Sequence, residues 1–227
     1  MKLDIILRTC DRELRNTERI ADKPEMMRRC VDSLLNSIGQ YDIAAKLHIV
    51  DDHSKNPIKC GSFHALEKTG NAESLKYCYE LALDIGRELI YFVEDDWLHF
   101  PEAISEMVGD WQTFQSKSQL PCAIHPYDDP DRYERDGSRL QSYIVRGKSR
   151  HYRTNQFSTQ TFMIHKDVFF QHWTTFMDNI EQGVQDHITN KIWQNGVVLF
   201  SPLRSLAIHM NGGNPEIYQD WRKLWEK

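Results

Sequence analysis

Apolar residues occur along the chain in short uninterrupted runs and in runs of helical spacing, and the two kinds alternate through the first half. Uninterrupted runs of about four to eight residues are typical of buried strands, whereas spacings of three or four residues are typical of amphipathic helices. Pro24 suits the first turn of a helix, and Gly39 suits its end. The elements predicted in this half are strands at residues 3–7, 46–50, 63–66 and 89–93, and helices at residues 24–38, 72–85 and 101–115.

The second half of the chain has a less regular pattern. Residues 121–156 are polar, charged and rich in turn residues, and we expect loops or a small hairpin there. The C-terminal segment opens with Pro215 and carries Trp221 and Trp225 at helical spacing, as core anchors would be. The elements predicted in this half are strands at residues 160–164 and 197–200, and helices at residues 166–178, 186–194 and 215–227.

The alternation of strands and helices predicts an α/β fold with a mainly parallel sheet that helices cover on both faces. Three of the predicted strands run into polar, mostly acidic residues: RTCDR at 8–12, DDHS at 51–54 and EDDW at 94–97. The carboxyl ends of parallel strands meet at one edge of a sheet, where ligands bind. The sequence therefore predicts an acidic cleft at this edge.

The composition of the 227 residues limits the classes of protein. Hydrophobic residues make up 40% and charged residues 27%, which is enough for a sizeable core. The net charge of −5 argues against a general nucleic-acid binder, and five cysteines without a CxxC pair indicate free thiols. No apolar stretch suits a signal peptide or a membrane span, so we expect a soluble, cytoplasmic protein with no integral membrane segment.

Glu94, Asp95 and Asp96 are adjacent at the end of an apolar strand, where they would repel one another without a compensating cation. The neighbouring segment contains no Lys or Arg, so a divalent metal is the economical partner. Carboxylate oxygens suit Mg²⁺ or Mn²⁺, which keep several waters and bridge substrate phosphates. The alternative is structural, because acids before Pro101 would stabilise the positive end of the next helix dipole.

The segment FVEDDW, residues 92–97, resembles the Asp-x-Asp element of GT-A-fold glycosyltransferases, in the Glu-Asp-Asp form that some of them carry. RTCDR is similar to the Thr-x-Asn-Arg that ends the first strand of family-2-like enzymes, and HIVDDHS, residues 48–54, is similar to their Val-Asp-Asp-Gly-Ser. The resemblance extends over residues 3–213. Its later segments, in the same order as in the family, are QTFMIHKDVF at 160–169, GVQDHITNKIWQNGVVLFSP at 183–202 and AIHMNGG at 207–213.

This resemblance implies a GT-A (Rossmann-like) fold and the transfer of a sugar from a UDP- or GDP-sugar to an acceptor hydroxyl of a glycan, protein or lipid. It also implies that Asp96 and His209 bind Mn²⁺ or Mg²⁺, and that Asp186 is the general base of an inverting displacement. The other strand ends would bind the nucleotide. The residues concerned are Thr9, Arg12, Asp51 and Asp52, with Asp95 at the ribose or at the metal through water, and Glu94 orienting its loop.

Several of these residues also have plainer interpretations. Asp186 suits a helix N-cap, and Asp51 and Asp52 suit a turn. His209 taken alone could be an ordinary core or surface histidine. The sequence departs from the family pattern at His53 in place of Gly, at Gln160 in place of a small residue and at Gln185 in place of Glu.

We expect one domain, in which residues 1–100 bind nucleotide and metal, residues 101–213 bind the acceptor, and residues 214–227 form a C-terminal helix. The basic segment RGKSRHYR, residues 146–153, is either a solvated loop or a loop that closes over the donor diphosphate. In the second case Arg150 and Arg153 would contact the donor.

Two other classes of protein would also use such a cleft. A nucleotidyltransferase combines carboxylates with Mg²⁺, but it would want a glycine-rich basic loop after the first strand, and RTCDRELR contains no glycine. A non-catalytic nucleotide-sugar or glycan-binding module would keep the cleft without needing Asp186.

Overall fold

A mixed sheet with helices on both faces forms the framework of the computed structural model, which describes residues 1–12, 21–39, 44–85, 87–130, 141–210 and 220–226. The strands are β1 (Lys2–Thr9), β2 (Ala44–Asp51), β3 (Ser62–Ala65), β4 (Leu89–Glu94), β5 (Trp97–His99), β6 (Cys122–Ile124), β7 (Ile144–Arg146), β8 (His151–Asn155), β9 (Phe162–His165), β10 (Val198–Pro202) and β11 (Ala207–His209). The helices are α1 (Lys23–Gly39), α2 (Asn71–Ile85), α3 (Ala103–Lys117), α4 (Lys166–Gln171), α5 (Trp173–Glu181), α6 (Asp186–Gln194) and α7 (Arg222–Trp225).

Nine of the described strands pair in the order β3-β2-β1-β4-β9-β6-β10-β8-β7, while β5 and β11 form a separate two-stranded sheet. The strands β3, β2, β1 and β4 are parallel to their neighbours. Strand β9 is antiparallel to both β4 and β6, and β8 is antiparallel to β10. The predicted mainly parallel α/β sheet flanked by helices is confirmed.

The strands of the first half are apolar throughout because both faces of the sheet are covered. In β1, Leu3, Ile5 and Leu7 belong to the cluster that packs on α1 and α3. Ile6, which points the other way, belongs to the cluster on α2, α5 and α6. These two cores fix the register of the strands, and therefore fix which residues reach the carboxyl edge.

The parallel register brings the polar strand ends together. Thr9 at the end of β1 pairs with Asp51 at the end of β2, and Arg8 pairs with Glu94 at the end of β4. These pairings confirm that the polar ends of the three strands lie along a common edge of the sheet.

The two-stranded sheet carries a late segment of the chain back to this edge. His209 in β11 pairs with Trp97 in β5, and the Met210 N–H donates to the Asp96 carbonyl oxygen at 2.8 Å. Neither strand was expected from the apolar pattern, since each is three residues long.

The remaining differences lie in the second half. The predicted helix at 166–178 is two helices, α4 and α5, which meet at His172, whose N–H is shared between the Val168 and Phe169 carbonyls at 3.2 Å each. A hairpin, β7–β8, lies where loops or a small hairpin were expected. Within the described residues the C-terminal helix is only Arg222–Trp225, and residues 215–219 of the predicted helix lie outside them. None of the described helices has the length and apolar character needed to cross a membrane.

Candidate functional site

An open cleft of about 510 Å³ lies at the carboxyl edge of β1, β2 and β4. It is where a doubly wound sheet binds its ligands. Of the predicted site residues, Thr9, Arg12, Asp52, Glu94, Asp95 and Asp96 line this cleft. The other lining residues are Arg8, Cys10, Lys23, Thr69, Gly70, Asn71 and Ser74.

Glu94 faces a cation from the neighbouring strand. The Arg8 guanidinium forms an ion pair with Glu94 Oε1 and donates to the Asn71 carbonyl at 2.9 Å and the Ser74 hydroxyl at 3.3 Å. Arg8 therefore joins the end of β4 to the first turn of α2. The Glu94 N–H donates to Thr161 Oγ1 at 3.3 Å, which ties the same strand end to the segment before β9.

Asp95 has both of its oxygens occupied. Lys23, at the start of α1, forms an ion pair with Oδ1, and the Cys10 N–H donates to Oδ2 at 2.7 Å. Burial raises the pKa of the Asp95 carboxyl, and Lys23 opposes that rise. Asp95 therefore holds the start of α1 against the end of β1, and its contacts within the protein are already satisfied.

Asp96 is paired with the histidine that β11 delivers. His209 Nε2 lies 3.3 Å from Asp96 Oδ2, while the buried Asp96 Oδ1 has no hydrogen-bond partner among the described residues. Burial would raise the pKa of the Asp96 carboxyl, but His209 and Lys23 lower it to about 2. Burial would lower the pKa of His209, but Asp96 raises it.

Trp97 lies beneath this pair. It is 1% exposed, its indole stacks on the His209 ring at 4.9 Å, and it meets the rings of His125 and Tyr127 edge-on at 5.6 Å each. Trp97 thus supports the histidine and does not form a wall of the cleft.

The three adjacent acids each have a basic partner: Arg8 for Glu94, Lys23 for Asp95 and, for Asp96, His209, which is a cation only when protonated. The segment around these acids contains no Lys or Arg, as the sequence shows, but the fold supplies basic partners from elsewhere, so charge balance alone does not call for a metal. These partners come from β1, α1 and β11 and meet the acids only in the fold.

A divalent metal nevertheless fits one part of this edge. Asp96 and His209 supply an oxygen and a nitrogen ligand, and Asp96 Oδ1 lacks a partner that such an ion would provide. The residues described gather no set of three His, Cys, Asp or Glu side chains around one point. A bound ion would therefore take its other ligands from water or substrate phosphate, as Mg²⁺ commonly does.

The two aspartates after β2 have different surroundings. Asp51 is turned inward, where the Thr9 hydroxyl donates to Oδ1 and the Ser54 N–H donates to Oδ2, both at 3.0 Å. Asp52 lines the cleft, pairs with Arg12 at 3.0 Å and accepts from the Gly70 N–H at 3.1 Å. Asp51 therefore holds strand ends together, whereas Asp52 and Arg12 line the open cleft.

His53 occupies a position that suits glycine. Its φ is 56°, in the left-handed region that glycine adopts freely and that other residues adopt at a cost, a cost that Asn, Asp and His accept more often than most. The family pattern places Gly at this position. Having His53 there keeps the left-handed backbone conformation but strains it.

Asp186 lies in the first turn of α6 and accepts a hydrogen bond from Gln160 Nε2 at 2.8 Å. Gln160 directly precedes Thr161, which contacts the backbone of Glu94. His209 also acts electrostatically on Asp186. These contacts link Asp186 to the end of β4 through Gln160 and Thr161, while Asp186, His209 and Asp51 are not among the residues that line the cleft.

The basic segment at 146–153 is not a loop over the cleft. It belongs to the β7–β8 hairpin at the far edge of the sheet. Arg150 donates to Glu106 at 2.6 Å and to the Arg204 carbonyl at 2.7 Å, and Arg153 pairs with Asp128 at 2.9 Å. These arginines are occupied by protein groups, so the geometry gives no support to the hypothesis that they contact the donor.

The sequence interpretation missed the residues that complete the site from a distance. Arg8 and Lys23 carry no local motif of their own, although Arg8 stands inside RTCDR. Asn71 and Ser74 lie at the start of α2, which the apolar spacing did predict, and a helix start beside a strand end was the available signal.

Solved structures of other proteins share this fold. The chain is similar to a candidate nucleotide-diphospho-sugar transferase from Desulfovibrio desulfuricans G20, with a TM-score of 0.51 and 15% identity over 88% of this chain and 80% of that one. It is also similar to residues 1–349 of S. aureus TarS in complex with UDP, with a TM-score of 0.53, 14% identity and 88% of this chain covered.

These comparisons establish a GT-A-like fold and no more. The chain spans 60% of that TarS fragment and 36% of a longer TarS structure, to which it is similar with a TM-score of 0.53. No model of a protein family matches the sequence. No curated protein matches it significantly either.

Proposed function

We propose that this protein is a glycosyltransferase that moves a sugar from a UDP- or GDP-sugar to an acceptor hydroxyl. The observation that carries the proposal is the Asp96–His209 pair at the carboxyl edge of β4, with a buried Asp96 oxygen that none of the described residues hydrogen-bonds, beside an open cleft. The fold shared with nucleotide-sugar transferases supports it. The acceptor belongs to the glycan, protein or lipid class.

The nucleotide half of the donor is assigned to the β1 and β2 side of the cleft. Arg12 and Asp52 offer a charged pair there, and Thr9 and Asp51 hold the two strand ends in register beneath it. On the β4 side, Arg8 and Lys23 neutralise Glu94 and Asp95, so a diphosphate would not meet uncompensated carboxylates. Residues 1–100 would thus bind the donor and supply Asp96 to the metal, and residues 101–213 would supply His209 and bind the acceptor.

Asp96 and His209 are the residues that would hold Mn²⁺ or Mg²⁺. Such an ion would stabilise the negative charge that develops on the departing diphosphate. Asp96 suits this role because His209 and Lys23 lower its pKa to about 2, which keeps the carboxylate ionised at neutral pH.

Asp186 is the proposed general base. It would accept the proton of the acceptor hydroxyl as that oxygen attacks the anomeric carbon, and the C–O bond to the diphosphate would break from the opposite face, with inversion. Burial raises the pKa of Asp186, which favours proton transfer to it at moderate pH. The burial concerns part of the carboxylate only, because Asp186 as a whole residue is exposed, and an acceptor can therefore still reach it.

The test is turnover of a panel of UDP- and GDP-sugars with Mn²⁺, with and without simple sugar acceptors, in the wild-type protein and in Asp186→Asn. We expect Asp186→Asn to bind donor normally and to lose transfer by about 10²-fold or more. Normal transfer by Asp186→Asn would remove the assigned base. Failure of every nucleotide sugar to bind, with or without metal, would overturn the proposed function.

A nucleotidyltransferase is the second candidate, because three basic residues from β1, its following segment and α1 line the same cleft: Arg8, Arg12 and Lys23. Such residues could bind a leaving pyrophosphate. The discriminating assay supplies a nucleoside triphosphate and a sugar phosphate and measures pyrophosphate release. Release of pyrophosphate without turnover of nucleotide sugars would establish this alternative, and turnover of either kind would exclude a purely binding module.

A further inference from the structure

The turn that leads into α6 is held in a strained conformation. Gly183 has a φ of 83°, and Val184, a β-branched residue, has a φ of 62°. Asn179 fixes this turn twice, because its carbonyl accepts from the Val184 N–H at 2.8 Å and its side-chain Oδ1 accepts from the Gln185 N–H at 2.6 Å. The backbone that carries Asp186 is therefore set by Asn179.

The same Asn179 sets the orientation of Gln160. Since Asn179 Oδ1 accepts from a backbone N–H, its amide nitrogen faces the other way and donates to Gln160 Oε1 at 3.2 Å. The Tyr79 hydroxyl donates to the same oxygen at 2.8 Å. With its oxygen held by these donors, Gln160 directs Nε2 at Asp186 Oδ1, at 2.8 Å.

We propose that Gln160 is a positioning residue for Asp186: it holds Oδ1 through a donor of fixed direction and leaves Oδ2 as the oxygen that accepts the acceptor proton. Among the described residues, Asp186 Oδ2 receives no hydrogen bond. This inference rests on the proposed function for the role of Asp186 in transfer, but the Gln160–Asp186 contact can be tested without it.

Burial suits Gln160 to this task. Gln160 is 4% exposed, and Tyr79 and Asn179 are both fully buried. Nothing in this arrangement can be replaced by water without loss, since buried amide groups need their protein partners. The position where the family pattern has a small residue therefore holds a side chain with a directed hydrogen bond.

The hydrogen bond also acts on the charge of the base. Burial raises the pKa of the Asp186 carboxyl, and the hydrogen bond from Gln160 lowers it. The titratable groups that act on it from α6 and β11, His187 and His209, lower it as well. Removing the Gln160 donor should accordingly raise the pKa of Asp186 while both histidines stay in place.

The experiment compares Gln160→Met and Gln160→Glu with a matched surface control, Gln194→Met, which lies exposed on the same helix as Asp186. Gln160→Met keeps the length of the side chain and removes the donor. We expect kcat to fall about tenfold with KM for the donor nearly unchanged, because only the alignment of the base is lost. The acid limb of the pH profile of kcat should move to higher pH, and farther in Gln160→Glu because of like-charge repulsion.

A direct titration separates this inference from the proposed function. The carboxyl carbon of Asp186 is followed by ¹³C NMR, with its resonance assigned from Asp186→Asn. The pKa of Asp186 should rise in the order wild type, Gln160→Met, Gln160→Glu, and stay unchanged in Gln194→Met. That order establishes the contact even if no nucleotide sugar is turned over.

Two results would overturn the inference. One is an unchanged pKa of Asp186 in Gln160→Met. The other is a fall in kcat with no movement of the pH profile, which would indicate that Gln160 only stabilises the fold. Gln160→Glu retains an acceptor for Tyr79 and Asn179, so it provides a folded variant if Gln160→Met unfolds.

Discussion

Two buried carboxylates, Asp96 at the cleft edge and Asp110 under the β7–β8 hairpin, are surrounded in opposite ways. Asp110 is fully buried, and both of its oxygens are used: Oδ2 accepts from the Tyr152 hydroxyl at 2.8 Å, and Oδ1 accepts from the N–H groups of Lys148 and Ser149. Asp96 shares one oxygen with a histidine, and in the part of the chain that the structure describes nothing donates to the other.

The two carboxylates therefore represent two kinds of charged group. Asp110 is structural, because protein groups occupy both of its oxygens, whereas Asp96 has an oxygen available to a ligand. Arg150 belongs to the first kind, because its donors are all directed at Glu102, Glu106 and backbone carbonyls. A paired charge therefore does not identify a site, since both regions are rich in pairs. What distinguishes Asp96 from Asp110 is a carboxylate oxygen to which none of the described residues donates a hydrogen bond.

Replacing Asp96 with Ala has the largest expected effect. We predict that transfer from a nucleotide sugar falls by about 10²-fold or more, since a metal ligand is lost. The free energy of unfolding should fall by no more than about 1 kcal/mol, because the remaining His209 is partly exposed and can be hydrated. Turnover and Mn²⁺ binding are measured beside a urea unfolding curve.

The contrast between Asp96 and Asp110 would be contradicted if Asp96→Ala keeps its transfer activity in Mn²⁺, or if the variant unfolds. Either outcome would place Asp96 with Asp110 among the structural carboxylates, and the unused oxygen would then have no functional meaning.

Replacing Asp110 with Ala should give the reverse pattern. The Tyr152 hydroxyl and two backbone N–H groups would lose their acceptor, so we expect the free energy of unfolding to fall by about 3 kcal/mol. Donor binding by the folded fraction should be unchanged. Urea unfolding and calorimetric titration with nucleotide test the two halves, and a stable variant with weakened donor binding would contradict the assignment.

The two histidines of the small β5–β11 sheet, His99 and His209, differ in the same way as the two carboxylates. His99 is buried, with its Nδ1 bonded to the Trp97 carbonyl at 3.0 Å and its Nε2 bonded to the Tyr91 hydroxyl at 2.9 Å. Because a carbonyl can only accept, Nδ1 carries a proton, and in the neutral ring Nε2 accepts from the Tyr91 hydroxyl. Burial lowers the pKa of His99 to about 4, whereas the pKa of the partly exposed His209 is raised by Asp96.

This pKa predicts how stability depends on pH. The unfolded chain protonates His99 near its ordinary pKa, about 6.5, and the folded chain resists protonation until about 4. The contribution is thus complete above the unfolded pKa and is lost as the pH falls, by about 2 kcal/mol between about pH 7 and about pH 5. His99→Gln should flatten urea stability over this window, and an unchanged slope would show that His99 is not the group responsible.

Much of the fold could be predicted because its signals are local. Strands β1, β2 and β4 are continuous apolar runs, and α1 and α2 have clear helical spacing, so each can be recognised without its partners. Strands β5 and β11 could not be predicted in this way. They are short, and β11 becomes a strand only by pairing with β5 more than a hundred residues earlier.

The candidate site, like the fold, has one part that local sequence predicts and another part that only the folded chain brings together. The acids at 94–96 stand together in the sequence and were predicted, but their basic partners come from three separate elements, and only topology brings Arg8, Lys23 and His209 to them. Gln160 was noticed as a departure from a pattern. Its role depends on Asn179 and Tyr79, which no spacing connects to it.

Replacing His53 has the smallest expected effect. The substitution tests whether the strained backbone at the cleft edge contributes to donor binding. A histidine at a φ of 56° is less favourable than glycine, so His53→Gly should raise the free energy of unfolding by about 0.5–1 kcal/mol. Its Nδ1 lies 3.6 Å from Asp52 Oδ1, next to the proposed nucleotide side. If His53→Gly is stabilised and binds UDP and GDP as the wild type does, the histidine is tolerated strain. Weaker binding of either nucleotide would instead place His53 among the residues that contact the donor, since relief of strain alone cannot reduce affinity at a site whose backbone is unchanged.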